Sequence, residues 1–157
     1  MCTSLDDAIA VAALYRALVR HLDRNPALNA SMSGVSRGIA AENIWRAQRY
    51  GVRSSFVDEK TRQAKAVADA LEAAIATVAA DARALGCEAQ VAAARSIVSR
   101  GTSADRQLAL YRAGRDRGLD RKSALIEVID WIARETLNFV VSGIGKGALQ
   151  AAQEPPI

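Results

Sequence analysis

Residues 67–86 read VADALEAAIATVAADARALG, and this stretch decides the fold. Val67, Leu71, Ala74, Ile75, Val78, Ala82 and Leu85 recur at three- and four-residue steps, the period that lays apolar side chains along one face of an α-helix. Gly86 follows the last of them, where a helix stop is expected. Outward from this helix the same signals repeat. Residues from about Glu88 to Arg100 place Val91, Ala94 and Val98 inward and stop at Gly101. Thr102 or Ser103 then caps a helix with Ala104, Leu108 and Tyr111 on one face, ended by Gly114 and Gly118. Asp120 caps a final helix that turns Leu125, Ile129, Ile132 and Phe139 inward.

Toward the N-terminus, a helix begins at Thr3 or Ser4 and runs to Asn25-Pro26, with Leu5, Ile9, Ala12, Tyr15, Val19 and Leu22 at helical intervals. Val11 and Leu18 widen its apolar face, so the helix is expected to be well covered. A second helix spans about Ser36 to Tyr50 with Gly51 beyond its end, whereas residues 51–64 lose the period. Gly51, Gly86 and Gly101 are expected to end their helices with positive φ.

Composition agrees. Of 157 residues, 33 are alanine and only three are proline, at positions 26, 155 and 156. Alanine is the best helix former and proline the worst, so the chain reads as an all-α compact bundle of five to six helices packed through small side chains. Residues 1–141 are expected to form a single helical domain and residues 142–157 a flexible tail. The glycines of Ser142-Gly143-Ile144-Gly145-Lys146-Gly147 lack the spacing and the Ser or Thr of a phosphate-binding loop. Two cysteines far apart make neither a disulfide framework nor a zinc site. No basic, apolar leader opens the sequence, and a cytoplasmic location is expected. The net charge of +4 is mild, and no basic run is interleaved with aromatics, so a nucleic-acid partner is not expected. His21, the single histidine, is read as complementing the C-terminal dipole of the first helix.

The segment with the most chemical information is Glu42-Asn43-Ile44-Trp45-Arg46-Ala47-Gln48-Arg49-Tyr50-Gly51. On a helix, Glu42, Arg46, Arg49 and Arg53 fall at steps of four, three and four and form one stripe, opposite Ala40, Ile44 and Ala47. Three arginines against one acid leave positive charge unneutralised beside Trp45. Forked donors one turn apart suit a phosphate or carboxylate. Surface ion pairing between Glu42 and Arg46 is the alternative reading.

This segment resembles the Asn-x-Trp-x-Ala-x-Arg-Tyr-Gly motif of bacterial carboxylate–amine ligases, the family related to type 2 glutamate–cysteine ligases. Thr3-Ser4-Leu5-Asp6-Asp7-Ala8 is similar to the segment that follows the family's last catalytic-sheet strand. Ile97 through Gln107 resembles its Gly-x-x-Ala-x-Arg-Gln segment. Together the three cover roughly residues 3–135. The resemblance implies the C-terminal helical part of a glutamine-synthetase-like ligase that uses ATP and magnesium to form an acyl phosphate, which an amine attacks. It implies ligand-binding candidates at Asn43, Arg46, Arg49, Tyr50 and Arg106. The family's acidic metal-binding strands have no counterpart here. Asp6 and Asp7 read as helix caps and Asp58-Glu59 as loop residues. No catalytic residue, metal ligand or cofactor is therefore assigned to this chain alone. It is expected to be inactive without a catalytic-sheet portion, and that portion or a second copy is its expected partner. A non-catalytic dimerisation or partner-binding module is the alternative.

Overall fold

A computed structural model describes residues 4–30 and 33–151. Its elements in chain order are α1 (Leu5–Arg24), a 3-10 turn at Pro26–Asn29, α2 (Gly34–Tyr50), a second 3-10 turn at Gly51–Arg53, β1 (Ser55–Val57), β2 (Ala64–Ala66), α3 (Val67–Ala84), α4 (Glu88–Arg100), α5 (Ser103–Asp116) and α6 (Arg121–Ala151). The six helices make the fold all-α, as the periodicity and alanine content require. Residues Asp6–Thr102 cluster as one compact unit, and Leu5 with the residues from Ser103 onward as another. No helix of the described residues is long and apolar enough to cross a membrane.

The core of the first unit joins α1, α3 and α4. Ala17, Val78, Ala82 and Val91 are buried together, with Ala13, Leu14, Leu18, Ile75, Leu85 and Cys87 packed around them. Two of the four are alanines, so the helix backbones can approach closely. Cys87 thus behaves as a small apolar side chain. Helix α3 ends in a full Schellman motif: the Cys87 N–H donates to Ala82 O and the Gly86 N–H to Arg83 O, each at 3.0 Å. Gly51, Gly86 and Gly101 all have positive φ, at 58°, 65° and 88°.

Residues 55–66, aperiodic in sequence, form a small antiparallel hairpin pairing Ser55 with Ala66, Phe56 with Lys65 and Val57 with Ala64. Its turn is built by Asp58, whose Oδ1 accepts from the backbone N–H groups of Lys60 and Thr61, each at 2.9 Å.

In the second unit, α5 and α6 form a hairpin of helices. Gly114 is not a stop but a contact: it is buried inside α5, where an added Cβ would lie 3.2 Å from the Ala124 Cβ. The stop is Gly118, whose N–H donates to Arg115 O while the Leu119 N–H reaches Gly114 O. Asp120 caps α6 as expected, accepting from the Ser123 N–H at 2.7 Å. Ala124 and Val128 form the buried face of α6, whereas Leu125 and Ile129, expected inward, are exposed. Ala104, Leu108 and Tyr111 of α5 line an open groove with Leu125 and Val128. The backbone of α6 continues through Ser142 to Ala151, so no helix end marks the expected tail boundary. Glycines at 143, 145 and 147 weaken a helix but do not break it, and no proline intervenes before Pro155. Residues 152–157 lie outside the described residues.

The largest difference from expectation concerns α1. The face carrying Leu5, Ile9, Ala12, Tyr15, Val19 and Leu22 is exposed, with Tyr15 69% accessible. The core takes the opposite face, through Ala10, Leu14 and Ala17.

Candidate functional site

The site candidates of the first unit lie on α2. Ser33 starts this helix, its Oγ accepting from the Ser36 N–H at 3.0 Å. The Ser36 hydroxyl in turn donates to Glu59 of the hairpin turn. Further along α2, Asn43 holds the hairpin by both edges of its amide. Its Oδ1 accepts from the Val57 N–H at 2.7 Å, and its Nδ2 donates to Val57 O at 3.0 Å. Arg46 has two tasks: Nε donates to Glu42 Oε1 at 2.7 Å, and Nη1 reaches Ser55 Oγ at 3.2 Å. Its side chain is 30% exposed. Two of the motif residues therefore fasten α2 to β1.

Arg49 is placed differently. It is exposed, and it makes no hydrogen bond or ion pair among the described residues. Tyr50 and Trp45 stand edge to face, with ring centroids 5.9 Å apart and planes at 86°, and both are about half exposed. The end of α2 therefore presents one available guanidinium fork beside an aromatic pair.

Arg106 belongs to the second unit. Its guanidinium carbon lies 5.4 Å from the centroid of the Trp131 ring, a cation–π contact joining α5 to α6. Gln107, beside it, donates to Ser103 Oγ at 2.9 Å within α5.

Two ion-pair centres escaped the sequence reading. Asp81 of α3 is buried, and three side chains of α1 converge on it: His21 Nδ1 at 3.0 Å, Arg24 Nη1 at 3.3 Å and Arg20 Nε at 3.3 Å. The His21 hydrogen bond, followed by the Arg24 hydrogen bond, holds its carboxyl below the usual range. Asp7 is likewise buried, and Arg100 from the end of α4 donates to it at 2.5 Å. The spacing of 20, 21 and 24 along one helix could have signalled the first centre. Nothing in sequence linked Asp7 to a residue 93 positions away.

Among the described residues no group of three or more His, Cys, Asp or Glu could hold a metal ion. Several carboxylates are already engaged, Asp7 by Arg100, Asp58 by Lys65 and its own turn, and Glu42 by Arg46. Magnesium needs several carboxylate or phosphate oxygens in octahedral array, and this donor set does not fit it.

A model of glutamate–cysteine ligase family 2 matches residues 1–127. The chain belongs to this family. It is 42% identical over 137 residues to a protein of Rhodospirillum rubrum that carries the provisional name glutamate–cysteine ligase 2, covering 87% of this chain and 35% of that one. A Bradyrhizobium protein (strain ORS 278) of the same name is 45% identical over 141 residues, covering 88% of this chain and 32% of its own. A Paracoccus denitrificans relative is 33% identical over 134 residues, covering 85% and 36%. The chain thus spans about a third of the length of these curated relatives. No solved structure matches it.

Proposed function

We propose that this chain supplies the arginine-bearing helical wall of an ATP-dependent carboxylate–amine ligase of the glutamate–cysteine type. In that chemistry a substrate carboxylate attacks the γ-phosphorus of ATP, ADP leaves, and the amine then displaces phosphate from the acyl phosphate. Negative charge gathers on phosphoryl and carboxylate oxygens throughout, and a fixed guanidinium fork stabilises it. The observation that carries the reading is Arg49, exposed and uncommitted within a motif whose Asn43 and Arg46 are bonded to the hairpin. Asn43 and Arg46 serve as positioning residues: they set the end of α2 against β1. Magnesium ligands are assigned to the portion of the ligase that this chain does not contain, and no metal step is routed through these residues.

The test uses this chain co-purified with the portion of the Rhodospirillum rubrum relative outside the 137 matched residues. Phosphate release is followed with ATP, magnesium, glutamate and cysteine. Arg49→Ala is expected to lower turnover tenfold or more, the size of a lost charged hydrogen bond of about 1.5–3 kcal/mol. Turnover unchanged by Arg49→Ala removes the ligand role. The exposed apolar face of α1 favours a second reading, a non-catalytic partner-binding module, in which Arg49 has no effect on any activity.

A further inference from the structure

Helix α1 is apolar on both sides. At about 100° per residue, its core side carries Ala10, Ala17 and Leu14. The opposite side carries Val11, Leu22, Tyr15, Ala8, Val19 and Ala12 within an arc of about 100° that contains no charged residue. All six of these are exposed, with Tyr15 at 69%, Val11 and Val19 at 49% and Leu22 at 42%. The interruptions toward the core side are Asp7 and His21, and both are paired, to Arg100 and Asp81. Asp6, Arg16, Arg20, Asp23 and Arg24 fill the remaining sector, so α1 has two apolar faces, one on the core and one uncovered.

The wide arc also says what kind of cover is needed. A two-stranded coiled coil buries a narrow seam and flanks it with charged residues. Here Leu18 widens the uncharged arc to about 120°, broader than such a seam, and Arg16 and Asp23 border only its far edge. The relatives supply a body of the right size: about two-thirds of their length lies outside the region this chain matches. We infer that the outer face of α1, centred on Tyr15 and Val19, is the docking surface for that remaining ligase portion. The inference rests on the ligase reading and adds the interface through which the two portions meet.

The experiment co-expresses this chain, tagged, with the Rhodospirillum rubrum portion outside the match and measures both its capture and the turnover of the captured complex. The variant Tyr15→Glu/Val19→Glu changes only exposed positions, so the free chain should keep its helical circular dichroism and melting temperature. If the glutamates disturb folding, Tyr15→Ser/Val19→Ser serves in their place. Capture by the unmodified chain, with at least a tenfold loss in the variant, is the expected result. Absence of capture by the unmodified chain overturns the inference, as does equal capture by the variant. So does self-association of the unmodified chain in sedimentation velocity that the same substitutions abolish, since the occupant is then a second copy. Equal capture accompanied by ligase turnover rejects the interface alone. Capture through α1 without turnover leaves the interface standing and rejects the ligase reading.

Discussion

Asn43 grips Val57 by both of its backbone groups, 14 residues away and across the boundary from helix to hairpin. A neutral side-chain amide both donates and accepts, so it substitutes for a neighbouring strand. Strands β1 and β2 are three residues each, too short to persist alone. Asn43→Ala should therefore destabilise the first unit by about 1–3 kcal/mol, since it leaves two partly buried backbone groups unpaired. Asn43→Asp keeps the acceptor and loses the donor, so it should fall between. Urea denaturation of the three proteins measures this. An unchanged midpoint in Asn43→Ala contradicts the fastening role.

Gly114 makes a comparable contact in the second unit. With an added Cβ only 3.2 Å from the Ala124 Cβ, α5 and α6 must give slightly to accept alanine. Gly114→Ala gains helix propensity of up to about 1 kcal/mol and loses packing, so its net effect should be small. Gly114→Leu has no such offset and should cost about 1–3 kcal/mol or more through overpacking. Thermal melting of the pair checks the ordering.

Gly51 and Gly86 both stop helices at positive φ but differ in what they tolerate. Gly86 sits in a Schellman motif, whose left-handed conformation asparagine can adopt. Gly51 combines φ 58° with ψ −139°, a region that non-glycine residues essentially avoid. A Cβ at either position meets nothing within 4 Å, so the cost is conformational. Gly86→Asn should cost well under about 1 kcal/mol and Gly51→Asn about 1–3 kcal/mol. Equal melting temperatures for the two variants contradict this assignment.

Much of this was legible in sequence, for identifiable reasons. The bounds of α3 and α4 follow from clean apolar periods ended by Gly86 and Gly101. The hairpin was not legible, because three-residue strands carry no usable alternation and its turn lacks the Asn-Gly or Asp-Gly signature. Asp58-x-x-Thr61 was the available clue. The period of α1 was visible, but period alone does not say which of two apolar faces meets the core. Gly114 read as a stop because glycine serves both at helix ends and at close contacts. Within the site, the sequence placed Arg46 and Arg49 on one stripe, yet only the fold separates them. Ser55 and Glu42 engage the first and leave the second to solvent.

Acid should unfold the chain through specific carboxyls. Asp58 is lowered to about 2, by the Thr61 backbone N–H first and the Lys65 hydrogen bond second. Asp81 is lowered through His21 and Arg24, Glu72 through Arg95 and Asp120 through Ser123. A carboxyl whose folded value lies below its unfolded one, about 3.9–4.3, stabilises the fold above that range. That contribution disappears as pH falls from about 5 toward the folded values. Melting temperature should thus be level in this respect down to about pH 5 and decline below it. Asp58→Asn should make the decline shallower. A melting temperature constant to pH 3 contradicts these pairings.

Phosphate release with ATP, magnesium, glutamate and cysteine, measured for this chain alone and again with the remaining ligase portion of the Rhodospirillum rubrum relative, tests the central claim most directly. The described residues hold no metal-binding carboxylate set, and the chain spans only about a third of its relatives. The expected result is no turnover above background from the chain alone, and turnover that rises with added partner until the two are equimolar. Robust magnesium-dependent turnover by this chain alone would contradict the account, because catalysis would then reside in residues assigned here to packing and positioning.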